Sequence, residues 1–473
     1  MKADSPAFAH LESGGLLIVE TRETARALRH AYDRGRRERG HGVWPSPRVA
    51  TLDDWLSLLW QEARAESGNR QILRPDTQVL RLLAEIIERD SPVALLNIES
   101  TARTVLRSWR RMQDWHCDNS AAVLATAEQR ALRSWTRALE RTQRDDGWID
   151  RARLPAVLAS KMPRSIAGER IAVLGFDPEP PAYARLFGAC AAAGMAVERL
   201  EPGRVQSQVY RFAAANADDE LTAAASWARA VLEQDAGAQL AIVVPDLAER
   251  RASVRATLDR VVDPSRLLPT DPEHLPLYSM IGGDALQEQP VVDAALRTLR
   301  LADAEISWTD AGQLLRTPHL RGWLQESGAR ARLDRRLRRE GRMMWRPSEL
   351  ARLARSADCE IWAQAGIAMR GELRAAGERL NVGDWAQRMG SALRAAGWTD
   401  GRTLSSTEFQ AVNRFRELLA ELAGYDSLLP PLDFAGARRE LERVCRDTGF
   451  QPDSGDPQIR ILDTVDHPGP TYD

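Results

Sequence analysis

The chain has 473 residues, enough for two to four domains that each bury a core of their own. Hydrophobic residues make up 44% and charged residues 28%, a globular balance that excludes a disordered chain, and no apolar run reaches the roughly 18 residues of a membrane-spanning helix. The net charge of −2 does not announce a nucleic-acid binder.

In chain order, Leu16-Leu17-Ile18-Val19 predicts a buried strand. A turn at Glu20-Thr21 leads into a helix through Ala25, Leu28 and Tyr32. Beyond a polar loop at residues 35–47, helical spacing governs residues 52 to 158. Trp55, Leu56, Leu59 and Trp60 form one stripe, and Val79, Leu80, Leu82, Leu83 and Ile86 another, predicting an all-α insertion. Ile171-Ala172-Val173-Leu174 is the next strand and ends in Gly175-Phe176-Asp177-Pro178. A helix through Tyr183, Leu186 and Phe187 and a strand at residues 195–200 follow. Strands alternating with helices predict a parallel sheet covered on both faces. A second α/β unit opens near Gln208-Val209-Tyr210-Arg211-Phe212. There Asn216, Asp218 and Asp219 offer N-caps for a helix over residues 220 to 232, and Leu240-Ala241-Ile242-Val243-Val244 is its next strand. Residues 290 to 445 are mainly helical again and Ile459-Arg460-Ile461-Leu462 is strand-like. The sequence stops in His467-Pro468-Gly469-Pro470-Thr471-Tyr472-Asp473, which lacks the look of a finished domain end.

The first strand–turn–helix stands where P-loop proteins hold nucleotide. That chemistry needs glycines to wrap the phosphates, a lysine for the β- and γ-phosphates, and a Ser or Thr for magnesium. The turn here reads Glu20, Thr21, Arg22, Glu23, Thr24, with no glycine, no lysine and two phosphate-repelling carboxylates. Of the 65 basic residues 63 are arginine, and the two lysines, Lys2 and Lys161, lie too far away to substitute. At the second strand, Asp177 and Glu179 are separated by Pro178 where a magnesium-binding pair of adjacent acids would stand. Glu20, Thr21, Arg22, Thr24 and Asp177 thus read as a degraded nucleotide site. The seven histidines and the four cysteines (Cys117, Cys190, Cys359, Cys445) show no metal-ligand spacing, which predicts reduced thiols, a cytoplasmic location and no metal or other cofactor.

Taken together these segments resemble the AddB-type, RecB-like DNA-repair proteins of proteobacteria. The likeness rests on the opening strand–helix with Ala25-Arg26-Ala27-Leu28, on Val43-Trp44-Pro45-Ser46-Pro47 before Asp54-Trp55-Leu56, and on Leu174-Gly175-Phe176-Asp177. It continues in Asp218-Asp219-Glu220 followed by Ile242-Val243-Val244-Pro245-Asp246, and in a helix opening with Leu286, Pro290, Val291 and Leu296. Leu314-Leu315-Arg316-Thr317-Pro318, Ser405-Ser406-Thr407-Glu408-Phe409-Gln410 and Thr448-Gly449-Phe450-Gln451-Pro452 complete it. The resemblance implies a superfamily 1 helicase fold with decayed ATPase motifs that guides DNA. In the family this fold supports a C-terminal PD-(D/E)xK nuclease, in some members with an iron–sulfur cluster. The nuclease motif and the cluster cysteines do not occur in these 473 residues.

The expected architecture is α/β, with RecA-like (P-loop helicase-like) parallel-sheet domains carrying large all-α insertions. Residues 1–50 and 165–205 would form the first such domain, 51–164 a helical insertion, 206–289 the start of the second domain, 290–455 its insertion, and 456–473 the return to the second sheet. Contact with single-stranded DNA or duplex ends would place arginines on phosphates and aromatics on bases. Two stretches qualify: residues 104–115, with Arg107, Arg110 and Arg111 beside Trp109 and Trp115, and residues 328–345, with Arg330, Arg332, Arg335, Arg336, Arg338, Arg339, Arg342 and Trp345. Arginines on a solvated helix face would look the same. The competing readings are a scaffold that docks a partner helicase or nuclease subunit without touching DNA, and a hidden ATPase.

Overall fold

The computed structural model describes residues 5–68, 70–91, 95–117, 126–201, 208–267, 277–373, 378–453, 455 and 457–464. The chain divides into two units, Met1–Ile281 with Gly455–Asp473, and Gly282–Ser454. The fold is mixed α/β and 62% helical, well above the usual third, with small parallel sheets. No helix among the described residues is long and apolar enough to cross a membrane.

The first unit opens with α1 (Pro6–Glu12), β1 (Leu16–Val19), α2 (Arg22–Glu38), β2 (Val49–Thr51) and α3 (Leu52–Ser67). Next come β3 (Ile72–Leu73), α4 (Asp76–Asp90), α5 (Ile98–Asp114), α6 (Ala127–Asp145), β4 (Trp148–Ile149) and α7 (Leu154–Ser160). Then β5 (Arg170–Leu174), α8 (Pro181–Ala192) and β6 (Ala196–Leu200) complete a four-stranded sheet of order β2-β1-β5-β6, parallel throughout. Because strand side chains alternate, the apolar runs serve both faces. Ile18, Ile171 and Val173 meet α3, α7 and α8 on one face, while Leu17, Val19, Ala172 and Leu174 meet α1 and α2 on the other.

Three details differ from the sequence reading. Helix α2 runs on to Glu38, into the predicted loop, because Glu12 takes ion pairs from Arg36 (3.1 Å) and Arg39 (2.6 Å). The ends of the predicted insertion, α3 and α7, belong to the core of the sheet. Only α4, α5 and α6, with Trp148, build a separate core around Val79, Leu83, Trp109 and Leu139. Strands β3 and β4 pair in parallel across that module, and two residues each are too few for a period-2 signal.

The second sheet takes α9 (Ala217–Gln234), β7 (Leu240–Val243), α10 (Leu247–Val261) and β8 (Tyr278–Met280). Asn216 caps α9 as its sequence predicts, accepting the backbone N–H groups of Asp218 and Asp219. The strand-like Ile459–Leu462 is β13 and lies in the middle, parallel to β7 and β8, which explains why it is buried end to end. Residues 208–212 form no strand, and Val209, Tyr210 and Phe212 stand exposed. The predicted ending at residues 467–473 lies outside the described residues.

The second unit is helical: β9 (Asp284–Ala285), α11 (Pro290–Arg300), β10 (Ile306–Ser307), α12 (Trp308–Arg316), α13 (Trp323–Glu340) and β11 (Met344–Trp345) come first. They are followed by α14 (Pro347–Ser356), α15 (Glu360–Glu372), α16 (Val382–Ala395), α17 (Ser406–Glu421), α18 (Phe434–Asp447) and β12 (Gly449–Phe450). One core holds it together, with Leu333, Trp345, Trp385, Phe415 and Leu441 among its members. The unit's two chain ends meet, since β9 pairs antiparallel with β12. Gly283 (φ +62°) makes that meeting possible, because a Cβ there would lie 2.3 Å from the Phe450 carbonyl oxygen.

Candidate functional site

Where the sequence would place a phosphate loop, between β1 and α2, the backbone leaves no room for one. Only Glu20 and Thr21 separate β1 from α2, and Thr21 serves as N-cap, its Oγ1 accepting the Thr24 N–H at 3.1 Å and contacting the Thr24 hydroxyl at 2.9 Å. Thr24 is buried in the helix–sheet contact. Arg22 turns to Asp54 at 3.3 Å. At the end of β5, Asp177 is exposed, and Glu179 is held by Arg199 through two bonds of 3.0 and 3.1 Å. The Thr21 hydroxyl thus caps a helix and Glu179 closes an ion pair, while Asp177 stands exposed without an adjacent acid.

Asp114, Asp53 and Glu20 act on Tyr183 from the ends of α5, β2 and β1, while Arg22 pairs with Asp54 at 3.3 Å and Arg151 with Asp53 at 3.4 Å. Burial, reinforced by the charges of Asp114, Asp53 and Glu20, pushes the Tyr183 hydroxyl well above its ordinary range. Burial likewise raises the Asp114 carboxyl, with Asp53 adding to the effect. Burial is the leading cause of both shifts, and at Asp114 the Tyr183 hydroxyl and the charge of Arg110 oppose it.

The arginine stretches sort themselves by burial and pairing. On α5, Trp109 is core, 1% exposed, and its indole N–H donates to Asp150 at 2.7 Å. Arg110 is bound to Asp76, and although burial works against its charge, Asp76, Asp53 and Asp150 hold the guanidinium protonated. Trp109 is therefore packed into the core, while Arg110 is half-buried and engaged with Asp76. Arg107, Arg111 and Trp115 follow each other at four-residue steps, so they share one face over about 12 Å. All three are exposed, and the two arginines have no ion-pair partner among the described residues.

On α13, Arg330 is fully buried, 0% exposed, and paired with Glu326 at 3.0 Å. That carboxylate also accepts the backbone N–H of Ile361 and of Trp362, capping α15. Trp345 is buried as well, with Arg342 stacked over its ring at 4.8 Å. Arg336 pairs with Glu340 at 3.0 Å, Arg338 with Asp334 at 3.1 Å and Arg342 with Glu349 at 2.9 Å. What remains is a stripe of three, Arg332, Arg335 and Arg339, exposed and without ion-pair partners among the described residues. Their i, i+3, i+7 spacing sets three guanidinium groups on one face over about 10 Å. Sequence reasoning grouped all these arginines together; the stripe emerges only once the paired ones are removed.

Other chemistry is muted. Burial raises the Cys190 and Cys359 thiols to about 11 and the Cys445 thiol to about 12, leaving them protonated and unreactive. No group of three or more His, Cys, Asp or Glu side chains among the described residues could hold a metal ion. The chain matches no protein-family model and no curated protein.

Proposed function

We propose that the chain is a non-catalytic, helicase-like DNA-binding and scaffolding module of a bacterial DNA-repair and recombination helicase–nuclease, related to the AddB-type proteins and working in the cytoplasm. On this reading the two parallel sheets are RecA-like domains, the helical module of α4–α6 and the second unit are their insertions, and the motor site has decayed. The observation that carries the proposal is the unpaired stripe Arg332–Arg335–Arg339, seconded by Arg107, Arg111 and Trp115. Unpaired guanidinium groups spaced a few ångströms apart suit phosphates of a flexible strand, and an exposed indole offers a surface for base stacking. The capped turn at Thr21 supports the absence of ATP turnover.

The test is fluorescence anisotropy with labelled single-stranded DNA at low salt. Binding is expected for the native chain and loss of at least tenfold for Arg335→Glu/Arg339→Glu, on the scale of removing phosphate contacts. No detectable binding at low salt would sink the proposal. A second reading, docking of a partner helicase or nuclease subunit without DNA contact, is favoured by one feature: Val209, Tyr210 and Phe212 stand exposed on a segment without secondary structure. It predicts that a Tyr210→Ser/Phe212→Ser variant loses the partner while DNA affinity is unmoved.

A further inference from the structure

The second unit contains a solvent-open cavity of about 1030 Å³ between α16 and α17, closed at one end by the turn that carries Trp398, Thr399 and Asp400. Its floor is largely apolar, with Ala386, Leu393, Trp398 and Leu419 beside the glycines and alanines of the helix contact. Gly383 and Gly390 from α16 face Ala420 and Ala423 from α17 and its following turn, and the helices approach so closely that a Cβ on Gly383 would lie 3.0 Å from Ala423 Cα. Its walls carry two cations. Arg416 is exposed and has no ion-pair partner among the described residues, and Arg394 donates only within its own helix, to Ser391 Oγ at 2.9 Å. The one carboxylate in the lining, Asp400, is neutralised by Arg321 at 2.7 Å. Thr399 adds an independent sign of constraint. It is a β-branched residue with φ +75°, held by donating its N–H to the His319 carbonyl at 2.8 Å. Such left-handed backbone at a non-glycine residue concentrates at ligand-binding positions.

We infer that this groove binds a short stretch of single-stranded nucleic acid, with phosphates on Arg394 and Arg416 and the flat faces of sugars and bases on the apolar floor. The inference rests on the DNA-binding reading above and assigns it a second, separate site. The volume sits at the upper end of the roughly 300–1,000 Å³ of small-molecule pockets, which suits several linked nucleotides better than one metabolite. The two arginines flanking this apolar floor, unpaired among the described residues, favour a polyanion with flat faces over an amphipathic peptide helix, whose anchors need apolar pockets without flanking cations. Gln387 and Ser391 add an amide and a hydroxyl that can meet base edges.

The experiment uses the full chain and labelled oligothymidylate of about six nucleotides, within the ~4–16 nucleotide footprint of single-strand binders. Arg394→Glu/Arg416→Glu should weaken binding about tenfold or more. Gly390→Leu should do the same without any change of charge, since a Cβ there meets nothing nearer than Arg394 Nη1 at 3.7 Å and the added side chain points into the groove. Both variants should keep the native thermal midpoint, and Arg335→Glu/Arg339→Glu should leave this short probe's affinity within twofold. If long DNA binds but neither groove variant changes affinity for the short probe, this inference fails and the DNA-binding reading survives. If neither probe binds the native chain at low salt, both fall together. Displacement of the probe by polyglutamate of matched charge would make the groove a site for acidic peptides and likewise overturn the inference.

Discussion

If Arg332, Arg335 and Arg339 each neutralise one phosphate, their contribution to the salt dependence of binding can be worked out. Each contact to a single strand contributes about −0.7 to the slope of log affinity against log salt. Three give about −2, so raising salt from about 50 to about 200 mM, a fourfold change, costs the stripe roughly twentyfold in affinity. Arg335→Ala should make the slope shallower by about 0.7, and the triple alanine variant by about 2, whatever other sites contribute. Anisotropy titrations with a labelled oligonucleotide at four or more salt concentrations measure this directly. The control is Arg336→Ala/Glu340→Ala, which removes an arginine together with its own partner (3.0 Å) and leaves net charge unchanged. The slope of this control should match that of the native chain. A triple variant with an undiminished slope, or a control that loses as much as Arg335→Ala, would refute the division of the helix into paired and unpaired arginines.

Other consequences concern stability. Thr21→Ala should cost about 1 kcal/mol, seen as a shifted denaturant midpoint at constant m, because it removes the cap on α2; an unchanged midpoint would deny Thr21 that role. Glu326→Ala strands the buried Arg330 charge and uncaps α15, and should cost about 3–5 kcal/mol. Glu326→Gln keeps the acceptor oxygen and should cost less, so equal losses would count against a charge effect. Burial, with Arg402 adding to it, holds His319 below the ordinary histidine value although Glu408 opposes the shift. The unfolded chain therefore takes up this proton first as pH falls, and stability contributed by neutral His319 is present above about pH 6.5 and declines below it toward the depressed folded value. His319→Gln should flatten that part of the melting-temperature profile; a profile of the same shape would place the effect elsewhere.

Much of the first sheet was legible because β1 and β5 are uninterrupted apolar runs, which only a strand covered on both faces requires. The helix cap at Asn216 was an equally local signal, and the structure uses it as its sequence predicts. The central place of β13 was not legible, since strand order depends on pairing across some two hundred residues. The distinction between Arg330 and Arg335 was partly within reach. Arg330 shares an i, i+3, i+7 stripe with Leu333 and Leu337, the buried side of α13, and Trp109 sits likewise with Ala102, Val105 and Leu106. The groove beside Arg394 and Arg416 was beyond sequence reasoning, because it exists only through the packing of α16 against α17.

The pairing of β9 with β12 also bears on how the molecule assembles itself. Strand β13 must find its place between β7 and β8, yet it is synthesised only after the whole helical unit has emerged. Closing a floppy segment of about 180 residues to bring β8 and β13 together would cost about 4–5 kcal/mol of chain entropy. Once the helical unit has folded and joined its own ends, the remaining slack is on the order of a dozen residues, and the penalty falls by about 2 kcal/mol. The helical unit is thus a buckle: by closing β9 on β12 through its own local contacts, it shortens the search of β13 for its place between β7 and β8.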